Sequence, residues 1–208
     1  MNYEILYTFM LATAALAISP GPDNIYVLTQ GVTNGKKHGL ATVAGLMAGC
    51  LVHTTLLAFG VSALIKESET LFFAIKLFGA AYLVFLAYRV FKSDTAISLS
   101  KKDVAKKSLI KLFKEGFIMN VLNPKVTIFF LAFFPGFLFS DSISNVLQFY
   151  VLGFLFIIVS TIVFGSIAVL SGAISNYLTK SSTIGVFLKW LQIAVFIAIA
   201  VYLMLSDN

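Results

Sequence analysis

The sequence predicts an all-α integral membrane protein whose six transmembrane helices form two inverted three-helix repeats. Three observations predict it. The chain is 59% hydrophobic and only 12% charged, where a soluble domain carries roughly 25% charged residues. Six continuous apolar runs each supply the ~20 helical residues that cross a bilayer. Charge between those runs alternates along the chain, as it does when odd and even connections lie on opposite sides of a membrane. β-Barrel strands do not fit, because they alternate in short segments and these runs are unbroken.

The first repeat, residues 1–92, carries spans over 5–28, 40–65 and 71–91. Its start has Glu4 and no Lys or Arg, so Ala15-Leu16-Ala17 reads as part of a retained span, not a signal-peptidase site. The first connection holds Lys36, Lys37 and His38, whereas the second sets Lys66 against Glu67 and Glu69. A basic linker follows over residues 93–112, and the whole connection carries Lys92, Lys101, Lys102, Lys106, Lys107, Lys111 and Lys114. Leu109, Ile110, Leu112 and Phe113 beside those lysines would suit a surface helix on anionic lipid. A solvated linker carrying the orientation signal explains the same residues more simply.

The second repeat, residues 113–208, carries spans over 113–139, 146–170 and 186–205, with Asp141 alone in the fourth connection and Lys180 in the fifth. The positive-inside rule places connections one, three and five in the cytoplasm and both termini outside. The excess of Lys and Arg over Asp and Glu, 15 against 9, therefore sets orientation; no nucleic-acid partner is expected. "GVTNGKKHG" is one residue short of P-loop spacing and lacks the Ser/Thr after Lys. Cys50 is the one cysteine, which excludes an intrachain disulfide and a multi-Cys metal site. No cofactor and no metal are expected.

Internal likeness supports the repeats. Pro20 and Pro124 lie 104 residues apart, as do Gly49 and Gly153. "IKLFGAAYLVFLAY" in span three resembles "LKWLQIAVFIAIAV" in span six, aligning Lys76 with Lys189. Three spans per half is an odd number, so the second half enters the membrane upside down, which is a transporter architecture. All four prolines, Pro20, Pro22, Pro124 and Pro135, fall inside predicted spans. Proline frees the carbonyl four residues earlier, and in lipid that carbonyl must face protein or a wet cavity. Pro135 suits a packing kink. "PGP" and "NPK" do not, because each comes with polar groups.

Asp23 and Lys125 sit beside those two breaks. A charge at a helix centre costs about 2.5–3.5 kcal/mol to insert, so both are expected to point into the bundle and pair. Asn24, Asn120 and Asn123 both donate and accept, which suits filling the valences of a broken helix or binding a zwitterion. The expected substrate-binding set is therefore Pro20, Gly21, Pro22, Asp23, Asn24, Asn120, Asn123, Pro124 and Lys125. Asp23 and His53 are the candidates for proton coupling, with a hydrogen-bonded packing role the simpler reading of His53. "GLMAG", Gly45 to Gly49, is a GxxxG match expected to serve close packing in the bundle rather than a dimer face. A homodimer is left open.

Taken together, "SPGPDN" in span one and "GFIMNVLNPKVTIFFLAFFPGF" in span four resemble the signatures of the lysine exporter (LysE)/RhtB amino-acid efflux family, on its RhtB-like branch. "GKKHGLATVAGLMAG" and "LFGAAYLVFLAYR" are similar to its other stretches, so the likeness covers nearly the whole chain. Two departures stand out: Gly136 follows Pro135 where the family often has Gln, and span six lacks the glycines common there. The resemblance implies a bacterial inner-membrane exporter of amino acids or related metabolites, driven by the proton gradient. Its Pro-Gly-Pro motif falls on Pro20, Gly21 and Pro22, and its Asn-Pro-Lys motif on Asn123, Pro124 and Lys125. Alternating access between broken spans one and four is the expected mechanism, with an amino acid as substrate and lipid as surroundings. A passive channel is the main alternative. An intramembrane enzyme would need a nucleophile–base set or metal ligands, and two histidines without an HExxH pattern do not supply them.

Overall fold

A computed structural model describes residues 2–19, 21–63, 69–93, 107–180 and 182–205. Pro20, most of the second connection and most of the basic linker lie outside these residues. The described chain is all helical: α1 (Tyr3–Ile18), α2 (Pro22–Asn34), α3 (Lys36–Leu56), α4 (Glu69–Lys92), α5 (Leu109–Val121), α6 (Pro124–Phe133), α7 (Asn145–Val169), α8 (Ser171–Lys180) and α9 (Ser182–Leu205). A wide helical turn, Leu57–Val61, continues α3, and a tight one, Phe134–Phe137, continues α6. Four stretches are long and apolar enough to cross a membrane: Lys36–Val61, Phe73–Lys92, Asn145–Val169 and Gly185–Leu205. Two further pairs qualify if each is taken as one bent span: α1 with α2, bent by 61°, and α5 with Pro124–Phe137, bent by 52°. The described residues thus hold four to six candidate spans, and exposed apolar side chains, such as Leu11, Phe78, Phe154, Ile162 and Trp190, suit lipid.

Helix ends follow local chemistry and move several expected boundaries. Asn2 caps α1 by accepting from Glu4 N at 3.0 Å, and its own N–H donates to Phe139 O at 3.0 Å. The start of the chain and the fourth connection therefore share one end of the bundle. At the other end α2 and α3 meet at Gly35, whose φ of 90° requires a residue without Cβ. The connection expected around Lys36–His38 is thus helical, with Gly35 alone as its corner. Ser108 caps α5 by accepting from Lys111 N at 3.4 Å, so the helix begins at Leu109, inside the expected linker. Leu112 is fully buried, while Ile110 is exposed. The fifth connection contains α8.

Two features position the site. One is an aromatic column on α6, whose four-residue Phe spacing stacks successive rings on one face. Phe129 and Phe133 lie 4.3 Å apart and Phe130 and Phe134 4.2 Å apart, centroid to centroid. Phe9 of α1, Phe156 of α7 and Tyr202 of α9 close on the column. The other is a backbone seam between α3 and α5. A Cβ on Gly45 would overlap Phe113 O, one on Gly116 would overlap Thr42 O, and one on Gly49 would stand 2.6 Å from Asn120 Oδ1. The GxxxG stretch therefore serves packing within the bundle, as expected.

Candidate functional site

Both breaks are built alike. At the first, Gly21 is the N-cap of α2, Pro22 its first residue and Asp23 its second; at the second, Asn123 is the N-cap of α6, Pro124 its first residue and Lys125 its second. Proline is well placed there, because a first helical residue needs no N–H partner. The proline that matches Pro124 in this geometry is thus Pro22, not Pro20 as the sequence spacing suggested. Asn24 Nδ2 donates to Ala17 O at 2.7 Å and so occupies a carbonyl of the interrupted helix.

The two breaks meet around one cavity of about 50 Å³, lined by α1, α2, α3, α5, α6 and α7. Gly21, Pro22, Asp23, Asn24, Asn120, Asn123 and Lys125 all line it; Pro124 does not. Asn123 is the joint: its Nδ2 donates to Asp23 Oδ2 at 2.9 Å while its Oδ1 accepts from Lys125 N at 3.0 Å. Asp23 and Lys125, expected within reach of each other, both line this cavity without a direct ion pair. Lys107 and Glu115 form a direct ion pair elsewhere, whereas Asp23 and Lys125 interact through space.

Local electrostatics treat the two charges oppositely. Asp23, in the first turn of α2, sits at the positive end of the helix dipole and is stabilised there. Lys125, in the first turn of α6, is opposed by that dipole, by about 0.3–1 kcal/mol. Its ammonium lies 5.1 Å from the Phe196 ring centroid and 3.6 Å from where a Gly21 Cβ would stand. A cation held against its own helix needs a counter-charge. The N-terminus of α2, which has no side-chain cap, faces the same cavity through Gly21 and Pro22. An ammonium, uncapped N–H groups and a carboxylate around one space suit the two ends of a zwitterion.

His53 does not reach the cavity. Its Nε2–H donates to Asn120 O at 3.1 Å and its ring lies 5.4 Å from that of Phe130, with 5% of the residue exposed.

Sequence reasoning passed over a second polar cluster between α2 and α5. Tyr26 OH donates to Glu115 Oε2, and Lys107 Nζ donates to both Glu115 oxygens at 2.8 Å. Glu115 holds the Lys107 ammonium above the usual lysine range. A crevice between α2 and α5 runs past Tyr26 and Met119 to Gly21 and Pro22, which also line the cavity. Glu115 is a carboxylate inside a predicted span, and that signal was available.

A sequence profile of the LysE type translocator family matches residues 14–207. The chain is 30% identical to the homoserine/homoserine lactone efflux protein of Salmonella typhimurium, over 86% of this chain and 85% of that one. It is 28% identical to an uncharacterized membrane protein of Vibrio cholerae, over 86% of each chain. It is 25% identical to the leucine efflux protein of Klebsiella pneumoniae, over 87% of this chain and 84% of that one. No solved structure matches.

Proposed function

This chain belongs to the LysE-type translocator family, and on that premise we propose that it exports amino acids or related small zwitterionic metabolites across the bacterial inner membrane. The family's members are transporters, not enzymes. In this reading the six spans form two inverted three-helix repeats, residues 1–92 and 113–208, joined by the basic linker. Export is secondary, proton-coupled and works by alternating access. The connections rich in lysine face the cytoplasm and both termini face outward. The hydrogen bond from Asn2 N to Phe139 O supports that arrangement by grouping the start of the chain with the lysine-free fourth connection.

One observation carries the reading: two helix breaks, each with proline as the first helical residue and a charged residue as the second, bring Asp23 and Lys125 to a single cavity. The substrate carboxylate is held by Lys125 and the α2 N-terminus. Its ammonium is held by Asp23, with Asn123 keeping the two charges apart until substrate arrives. Asp23 is the group that takes up and releases the coupling proton. At about 50 Å³ the cavity has room for a few waters, so substrate requires the helices around it to part. The relatives named for homoserine and leucine efflux support an α-amino acid as cargo.

The test is uphill export from loaded membrane vesicles. Export against a solute gradient, driven by a proton gradient, is expected of the native protein; a channel would only equilibrate. Lys125→Ala is expected to abolish export while leaving membrane insertion intact. Asp23→Asn is expected to end the dependence on the proton gradient. Full gradient-driven export by either variant would sink the site as described.

A further inference from the structure

Pro124 leaves a specific vacancy behind it. In a continuous helix the carbonyl of Asn120 would accept from the N–H four residues on, and proline at position 124 has none. The next helical bond is lost as well, because Lys125 N is turned to Asn123 Oδ1. Inside a span such a carbonyl has no water to turn to and must be met by protein. Asn123 N reaches Asn120 O at 3.1 Å in a tight turn, which fills one lone pair. His53 fills the other, through the 3.1 Å bond from its Nε2–H. A carbonyl only accepts, so this contact requires the proton on Nε2. His53 belongs to α3, outside both breaks. The same helix holds the Asn120 side chain, since Cys50 Sγ accepts from Asn120 Nδ2 at 3.5 Å. The first break meets its own vacancy from within, where Asn24 of α2 donates to Ala17 O. His53 thus does for the second break what Asn24 does for the first.

We infer that His53 is a positioning residue for transport: by filling the valence that Pro124 leaves empty, it fixes the end of α5 and so the placement of Asn123 and Lys125. This rests on the exporter reading above. Asn123 caps α6 and binds Asp23, so an error at Asn120 carries directly into the charges around the cavity. His53 does not line that cavity and acts through Asn120 alone. The role asks for a fixed N–H, not for a proton that comes and goes. That sets His53 apart from Asp23.

A double-mutant cycle in detergent tests the vacancy without any transport. His53→Leu is expected to lower the melting midpoint by several degrees, the scale of one poorly satisfied buried carbonyl. Pro124→Ala restores an N–H at position 124, and in that background the same loss is expected to shrink to about half or less. Equal losses in the two backgrounds would overturn the inference, because His53 would then serve packing alone. Transport reads the positioning. For homoserine uptake into energised inside-out vesicles, His53→Leu is expected to raise KM about tenfold and keep Vmax within about twofold. His53→Gln places an amide Nε2 donor where the imidazole has its own and carries no titratable proton. It is expected to restore the native KM. Loss of proton-driven uptake in both variants would overturn the inference in favour of a proton carrier. Native kinetics in His53→Leu would overturn it too. If the native protein takes up neither homoserine, leucine nor lysine, the exporter reading falls, and the melting cycle still decides whether His53 fills the vacancy.

Discussion

Replacing Asn123 by Ala removes three things at once. The first is the N-cap of α6, whose Oδ1 accepts from Lys125 N at 3.0 Å; loss of such a cap costs about 1 kcal/mol. The second is the hydrogen bond to Asp23 at 2.9 Å, which, being to a charged acceptor, is worth about 1.5–3 kcal/mol. The third is the joint between the breaks, since Asp23 and Lys125 lie on different half-helices and are not directly paired. The expected loss is about 2–4 kcal/mol in stability, taken as the cap and the charged bond together. Thermal unfolding in detergent reads it as a drop in midpoint of several degrees. The informative partner is Asn123→Asp, which keeps a capping oxygen but sets a second carboxylate against Asp23. It is expected to be as damaging as the alanine or more so. Combining it with Asp23→Asn restores a donor and an acceptor with their positions exchanged, and recovery of the melting midpoint is expected. Were Asn123→Ala to melt like the native protein, or the exchange to recover nothing, Asn123 would not be the joint.

Two further perturbations test the scaffold. Gly45→Ala places a methyl on the backbone carbonyl of Phe113, which cannot rotate away. A loss of about 1–3 kcal/mol is expected from overpacking, read as a lower melting midpoint, while Gly172→Ala, which meets nothing within 4 Å, should leave it unchanged. Gln148 accepts from the N–H groups of Phe139 and Ser140 and donates to the carbonyls of Ser140 and Ile143, at 2.7–3.0 Å. Gln148→Leu strands those backbone groups at about 1–3 kcal/mol for each buried one, and accelerated proteolysis at the fourth connection is the expected readout.

Elements that declare themselves by composition were legible in the sequence. The spans follow from apolar length, and the breaks from prolines accompanied by polar residues. The close contact at Gly45 and Gly49 follows from the GxxxG spacing. Register was harder. Pro20 and Pro22 are equally strong breakers, and which one starts a helix depends on the conformation of the residue before it, here the extended Gly21. Aligning Lys76 with Lys189 joined unlike environments: Lys76 is 6% exposed, whereas Lys189 lies at the surface and donates to Ser93 O at 2.7 Å. The Tyr26–Glu115 contact joins residues 89 apart in sequence, and no local pattern announces it.

The seam between α3 and α5 locks those two helices together. Where Gly45 and Gly116 let backbone meet backbone and Gly49 admits the Asn120 side chain, the two helices cannot slide without collision, and they travel as one stiff plank. Against α2 that plank is fastened differently, by Tyr26, Glu115 and Lys107 at the lysine-rich end. Such a polar clasp can exchange its partners for water as it opens, which a packed core cannot do. The fold therefore carries a polar, separable line beside the crevice that leads to Gly21 and Pro22, and a tightly locked one immediately behind it.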